Sequence, residues 1–215
     1  MIKIYYFDIQ KHLDLLNSGS FFVCAVNIRK VNKILRNEKK KERIVSELVK
    51  KYVFENLLGK KYPNDIFVGE FGKPYLKDNS FEFNFTGNSE YIFLSICKNA
   101  SIGIDVEKMR KFPGMAVKGF FSDEEWECLI KDSSEFTRIW TRKEAFLKCI
   151  GVGWQEKNEC SVLNDYIQQN DNNYRLLDIK FNEDTLISIC HEETGYKETY
   201  QFKEITKHDI EAVKK

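Results

Sequence analysis

Trp140-Thr141-Arg142-Lys143-Glu144-Ala145-Phe146-Leu147-Lys148 is the stretch from which the rest of the chain can be read. Neither Gly nor Pro interrupts residues 135–150, and Phe136, Ile139, Trp140, Phe146, Leu147 and Ile150 recur at helical spacing. That pattern predicts a helix with one apolar stripe. Gly151 follows in the position of a C-terminal cap. Trp140, Glu144 and Lys148 fall at successive i+4 positions along the edge of the stripe, so an acid and a base project where a packed helix meets solvent or a cleft. On this helix alone the pair is satisfied by an ordinary i,i+4 ion pair, worth roughly 0.2–0.5 kcal/mol.

Ser101-Ile102-Gly103-Ile104-Asp105-Val106-Glu107 widens the choice. It alternates like a β-strand, with Ile102, Ile104 and Val106 on one face and Asp105 and Glu107 on the other. Two carboxylates on one face of an apolar strand repel unless a cation sits between them. One reading is a solvated outer face. The other is a magnesium site, because that ion takes oxygen ligands, keeps waters, and is held by one or two carboxylates plus substrate phosphates. With Glu144 there are three carboxylates from two elements, and Lys148 adds a cation for an anionic substrate.

Three stretches in order then narrow the reading. Gly103-Ile104-Asp105-Val106-Glu107, Phe120-Phe121-Ser122-Asp123-Glu124-Glu125 and the segment 140–148 resemble the GxDxE, FF(S/T)xxE and WxxKE(A/S)xxK signature of the 4′-phosphopantetheinyl transferases, most closely the two-lobed Sfp type. Each motif alone is weak; three in register are specific. Looser similarity extends to Gly72-Lys73-Pro74-Tyr75-Leu76 and into the C-terminal strands.

The resemblance implies an α+β fold of two similar α/β lobes with a pseudo-twofold relation, each a small sheet packed with helices. The expected division is 1–99, carrying coenzyme A and carrier contacts, and 100–215, carrying the magnesium site and catalytic helix. It implies transfer of the 4′-phosphopantetheine arm of coenzyme A onto a serine of an apo acyl or peptidyl carrier protein, with release of 3′,5′-ADP. Asp105, Glu107 and Glu144 would hold Mg2+, Lys148 would meet the phosphates, and Glu125 or a metal-bound water would take the serine proton. Arg43, Lys73, Thr86 and Asn88 are the expected coenzyme contacts. The family usually shows FNxSHS where this chain has Phe83-Asn84-Phe85-Thr86-Gly87-Asn88. Thr86 preserves a hydroxyl, Gly87 stands in place of His, and Asn88 or a backbone amide is left to replace that contact. The departure keeps an alternative open: a coenzyme A-binding or carrier-binding module without turnover.

The remaining sequence bounds these readings. Its 42% hydrophobic and 31% charged residues are globular in balance, and a net charge of +1 gives no global pull toward nucleic acid or an anionic membrane. The apolar start is too short for a signal peptide, and nothing reaches membrane length. A cytoplasmic monomer is expected. The six cysteines have no CxxC or zinc-like spacing, so buried free thiols are expected. P-loop, GxGxxG and GxSxG motifs are absent, and His12, His191 and His208 lie far from the carboxylates in sequence.

Local patterns place the other elements. Strands are expected at 1–8, 20–28, 81–86 and 91–97, and a helix from the basic run at 39–43 to Leu58, ended by Gly59. Phe71 to Leu76 reads as a turn presenting Lys73. Ser122 with Glu125 three residues on forms a capping box, a second reason for Glu125 beside catalysis, and the two need not exclude each other. Strands at 173–181, 185–191 and 196–202 are expected to complete the second sheet, with a peripheral charged tail from Lys203.

Overall fold

The computed structural model describes residues 1–11, 37–155, 160–195 and 199–212. The expected strand at 20–28, with Cys24 and His12, lies outside the described residues.

Strand β1 (Ile2–Asp8) is followed by helix α1 (Asn37–Tyr52), which runs on into a π-helical turn at Val53–Leu57. Next come a small hairpin, β2 (Ile66–Val68) and β3 (Pro74–Leu76), then β4 (Glu82–Gly87) and β5 (Tyr91–Cys97). The second lobe starts with β6 (Ile102–Lys108) and a 3₁₀ segment at Gly114–Phe120. Helices α2 (Asp123–Lys131) and α3 (Phe136–Ile150) follow, then β7 (Tyr166–Gln169), β8 (Asn172–Lys180) and β9 (Thr185–Glu192). Strand β10 (Tyr200–Glu204) and helix α4 (Lys207–Ala212) close the described chain.

Both lobes repeat one plan. The first strand lies antiparallel to the last, and the last to the one before it, giving β1-β5-β4 in one sheet and β6-β9-β8-β7 in the other. In each lobe a helix from the connection covers one face. Val45, Val49, Val53 and Phe54 of α1 and its extension pack on Tyr5, Phe7, Phe83 and Leu94. Ala145, Phe146 and Cys149 of α3 pack with Tyr174, Leu176 and Cys190. A third cluster draws on both sheets and closes the lobe interface: Ile2, Ile4 and Phe93 with Ile102, Ile104, Val106, Ile187 and Ile189. The sequence parity at 102–106 therefore means an apolar face turned to the other lobe. Strand β6 is an edge strand, and the Ile104 N–H on its open side donates to Asn84 Oδ1 of β4 at 3.2 Å. That bond satisfies a backbone donor that burial would otherwise leave costly.

Two expectations about the C-terminus are corrected. The third C-terminal strand does not complete the second sheet: Tyr200–Glu204 pairs parallel to β1 in the first sheet, with Ile2 opposite Tyr200 and Tyr6 opposite Glu204. An open edge of β1 needs a partner, and the returning chain supplies it. Nor is the segment after Lys203 peripheral, since Ile205 and Ile210 are buried in the core of the first lobe. Strands β2, β3 and β7 were not read from the sequence; Pro74–Leu76, expected as part of a turn, is β3.

Gly103 sets the distance between sheet and helix. A Cβ there would lie 2.0 Å from Ala145 O and 2.5 Å from Cys149 N. The strand passes directly against the backbone of α3, and only glycine allows it. Gly103→Ala must push β6 and α3 apart, and is expected to cost on the order of 1–3 kcal/mol or more, read as a lower denaturant midpoint. An unchanged midpoint would mean the contact is looser than this packing requires.

Candidate active site

Helix α3 divides its charged side chains between two tasks. Arg142 and Lys143 turn inward. Arg142 is bound by Asp178 at 2.7 Å, by Asp165 at 2.5 Å and by the Val162 and Leu163 carbonyls. Lys143, 1% exposed, donates to both Glu125 oxygens at 3.1 and 2.9 Å and to Cys160 O at 2.8 Å. Glu144 and Lys148 turn the other way, toward β6. The helix ends at Gly151, whose φ of 78° is the left-handed cap expected of it.

Lys148 is not simply the i,i+4 partner of Glu144. Its Nζ is 2.6 Å from Asp105 Oδ1 and 3.8 Å from Glu144 Oε2, so one ammonium joins the strand carboxylate to the helix carboxylate. Thr86 Oγ1 at the end of β4 donates to the same Asp105 oxygen at 3.0 Å. The other oxygen, Asp105 Oδ2, is buried and has no hydrogen-bond partner among the described residues. Glu144 is held on its far side by Trp154, whose indole Nε1 donates to Oε1 at 2.7 Å.

The three carboxylates are not gathered as one set. Glu107 pairs with Arg110 at 3.5 Å, and Lys148 fills the space between Asp105 and Glu144. Among the described residues no three His, Cys, Asp or Glu side chains form a metal-holding group. The donor chemistry still suits a hard cation accompanied by phosphates. A partnerless buried carboxylate oxygen is costly to maintain, and magnesium takes only one or two protein carboxylates when a phosphate ligand supplies the rest.

Burial pushes the Asp105 carboxyl up to about 6, against the lowering pull of Lys148. Its folded pKa therefore lies above the ordinary value of 3.8. The folded chain holds the extra proton between these values, so this group's contribution to stability falls as pH rises through that window. Asp105→Asn is expected to melt close to the wild type at about pH 4 and to be more stable at about pH 8, by up to roughly 2 kcal/mol. Thermal melts at the two pH values check this. A variant destabilised more at the higher pH would reverse the sign.

The other expected site residues fall as follows. Glu125 has no exposed surface, and its oxygens accept from Lys143, from Ser122 N at 2.8 Å and from Val162 N at 2.8 Å. The capping box is formed. In this arrangement the Glu125 carboxylate is buried and its oxygens are engaged by Lys143 and two backbone amides, so service as a proton acceptor would require one of these partners to be exchanged. Lys73 reaches across to the end of α3, donating to Cys149 O at 2.7 Å and lying 3.6 Å from Glu82. A lysine on the last carbonyls of a helix complements its dipole. Arg43 pairs with Glu47 on the next turn of α1 at 3.2 Å. Asn88 Oδ1 accepts from the Glu90 and Tyr91 amides, while its Nδ2 is buried without a hydrogen-bond partner among the described residues. A side chain at Gly87 would meet Tyr91 O at 3.0 Å.

Trp140 packs as expected under the helix edge, against Phe120, Phe121, Phe136 and Trp154. The reading from sequence missed Trp154 and Arg110. The Arg110 guanidinium lies 5.0 Å from the centre of the Trp140 ring. Both were hidden because an indole beyond a helix cap and an arginine in a loop carry no periodic signal.

Residues 101–212, just over half the chain and including Asp105, Glu107, Glu125, Glu144 and Lys148, match the sequence model of the 4′-phosphopantetheinyl transferase superfamily. The chain belongs to this superfamily. Similar relatives include the 4′-phosphopantetheinyl transferase gsp of Aneurinibacillus migulanus, 28% identical over 158 residues that cover 66% of this chain and 61% of the relative. The L-aminoadipate-semialdehyde dehydrogenase-phosphopantetheinyl transferase of Homo sapiens is 34% identical over 102 residues, 38% of this chain and 33% of the relative. The 4′-phosphopantetheinyl transferase psf-1 of Bacillus pumilus is 31% identical over 88 residues, 38% of this chain and 37% of the relative. The alignments thus span from a third to about three fifths of these relatives. Superfamily membership accounts for the sequence motifs, and the geometry divides them: Asp105, Glu144 and Lys148 meet at one place, while Glu125 and Lys143 hold α2 to α3.

Proposed function

We infer that the chain transfers the 4′-phosphopantetheine arm of coenzyme A to a serine of an apo acyl or peptidyl carrier protein, releasing 3′,5′-ADP. The observation that carries this reading is the Lys148 ammonium between Asp105 and Glu144, with a partnerless Asp105 oxygen beside it. An anionic diphosphate brought near two carboxylates is repelled unless cations intervene, and phosphoryl transfer is catalysed chiefly by positioning and charge stabilisation. Asp105 and Glu144, with Glu107 on the same strand face, would hold Mg2+ at that place. When bound, the ion neutralises charge on the pyrophosphate.

The chain's own groups do the rest. Lys148 gives up part of its pairing to bind phosphoryl oxygens on the leaving side. Thr86 fixes one Asp105 oxygen, and so directs the other. The Nδ2 of Asn88, two residues further along, is a buried donor without a partner among the described residues; turned outward it would meet a coenzyme phosphate, and it stands next to the Gly87 that replaces the usual His. That donor favours retained coenzyme binding despite the departure from FNxSHS. Lys73 and Arg43 remain proposed phosphate contacts, each of which must exchange a present partner for the coenzyme. In this reading the protein works in the cytoplasm as a monomer with a lobe division near residue 99. The reading assigns it neither a nucleic acid nor a membrane partner.

Formation of 3′,5′-ADP from coenzyme A and Mg2+ tests the reading, measured with and without an apo carrier protein. Release that requires the carrier supports transfer. Release without it makes the chain a phosphodiesterase, and calorimetric coenzyme A binding with no release makes it a binding module.

A further inference from the structure

We propose that Trp154 is a positioning residue for Glu144. It lies beyond the catalytic helix, in the 3₁₀ turn Gly153–Gln155 that follows the left-handed Gly151. Its indole N–H donates to Glu144 Oε1 at 2.7 Å. The ring is fixed by its neighbours. It stacks on Trp140 at 5.2 Å with the planes 26° apart, and Phe120 meets it edge-on at 5.0 Å. Trp140 carries the Arg110 guanidinium 5.0 Å from its ring centre, and Arg110 reaches Glu107 at 3.5 Å. One continuous stack, Glu107–Arg110–Trp140–Trp154–Glu144, therefore joins the carboxylate of strand β6 to the carboxylate of helix α3.

The consequence concerns which oxygen faces the site. A glutamate at a helix edge has several rotamers, and ordering it costs conformational entropy. The indole takes Oε1 and leaves Oε2 on the side of Lys148, at 3.8 Å. Groups that orient a ligating carboxylate from behind in this way change metal affinity without touching the metal. Rings locked by packing make the better support, because their own rotamers are settled.

The functional consequence rests on the transferase reading; the contact itself does not, and the test is divided accordingly. The chain's three tryptophans give three indole N–H signals in a ¹⁵N-labelled sample, and Trp154→Phe identifies one of them by its loss. Glu144→Gln exchanges a charged acceptor for a neutral one, so the Trp154 signal is expected to shift while that of Trp126 stays in place. An unmoved Trp154 signal overturns the proposal. Trp154→Phe keeps an aromatic ring in the stack and removes only the donor. It is expected to weaken Mn2+ binding in the presence of coenzyme A by about tenfold. Metal-free coenzyme A binding and the melting temperature are expected to stay near the wild type. Equal Mn2+ affinity in variant and wild type overturns the proposal. If the wild type neither takes up Mn2+ nor modifies a carrier, the transferase reading fails, and the indole shift still decides whether Trp154 holds Glu144.

Discussion

Glu144→Gln is expected to slow carrier modification by on the order of 10²–10³-fold and to leave the melting temperature near that of the wild type. The fold does not depend on this charge. Among the described residues the Glu144 carboxylate accepts from the Trp154 indole at 2.7 Å and lies loosely beside Lys148 at 3.8 Å. The glutamine carbonyl still accepts the indole N–H. The ion pair is partly exposed and spans one helical turn, so its loss costs a few tenths of a kcal/mol at most, about the value of such pairs in isolated helices. The site does depend on it. With Glu144 neutral, the Lys148 ammonium keeps Asp105 as its carboxylate partner, and one of the three carboxylates proposed to hold a cation against the pyrophosphate is gone. Steady-state 3′,5′-ADP release reads the effect. Undiminished turnover would remove Glu144 from the site.

The second large effect falls on stability. Lys143→Met is expected to lower the unfolding free energy by about 3–5 kcal/mol, a large part of the roughly 5–15 kcal/mol that holds a typical domain folded. Lys143 and Glu125 are 1% and 0% exposed, and the lysine bonds both carboxylate oxygens. Removing the ammonium leaves a buried carboxylate with only two backbone amides, Ser122 N and Val162 N, to stabilise its charge. Adding Glu125→Gln to Lys143→Met is expected to recover part of the loss, since the neutral amide needs no counterion. Denaturant titration of the two variants measures both steps. A Lys143→Met chain as stable as the wild type would contradict the structural role given to Glu125. In the same way, a Glu125→Gln chain that stays folded should retain carrier modification, because its carboxylate faces Lys143 rather than the site.

What the sequence made readable follows from how local each signal is. Helix α3 was legible because an uninterrupted apolar stripe ended by glycine is a purely local pattern, and the parity of β6 separated Ile102, Ile104 and Val106 from Asp105 and Glu107 for the same reason. Glu144 and Lys148 could be placed on one helix edge by counting. The contact that joins Lys148 to Asp105 could not, because it depends on how closely β6 passes α3. Gly103 carried that information only in retrospect, as the residue whose missing Cβ permits the approach. Strand β10 was readable as a strand but not as a partner of β1, since a strand's pattern names its buried face and not its neighbour. Strand β7, whose residues are Tyr166-Ile167-Gln168-Gln169, buries Ile167 with too little alternation to signal. The cap of Glu125 was readable from its spacing to Ser122, but its ion pair with Lys143, eighteen residues on in sequence, was not, because it depends on how α2 packs on α3.

The account stands on Asp105, Glu144 and Lys148 acting together on the pyrophosphate of coenzyme A. Mass spectrometry of an apo carrier protein after incubation with the chain, coenzyme A and Mg2+ tests it most directly. The account predicts a gain equal to one phosphopantetheine arm, located on a carrier serine and lost when Lys148→Ala replaces the wild type. Carriers of unchanged mass beside an active transferase control, or a Lys148→Ala chain that modifies them at the wild-type rate, would contradict it.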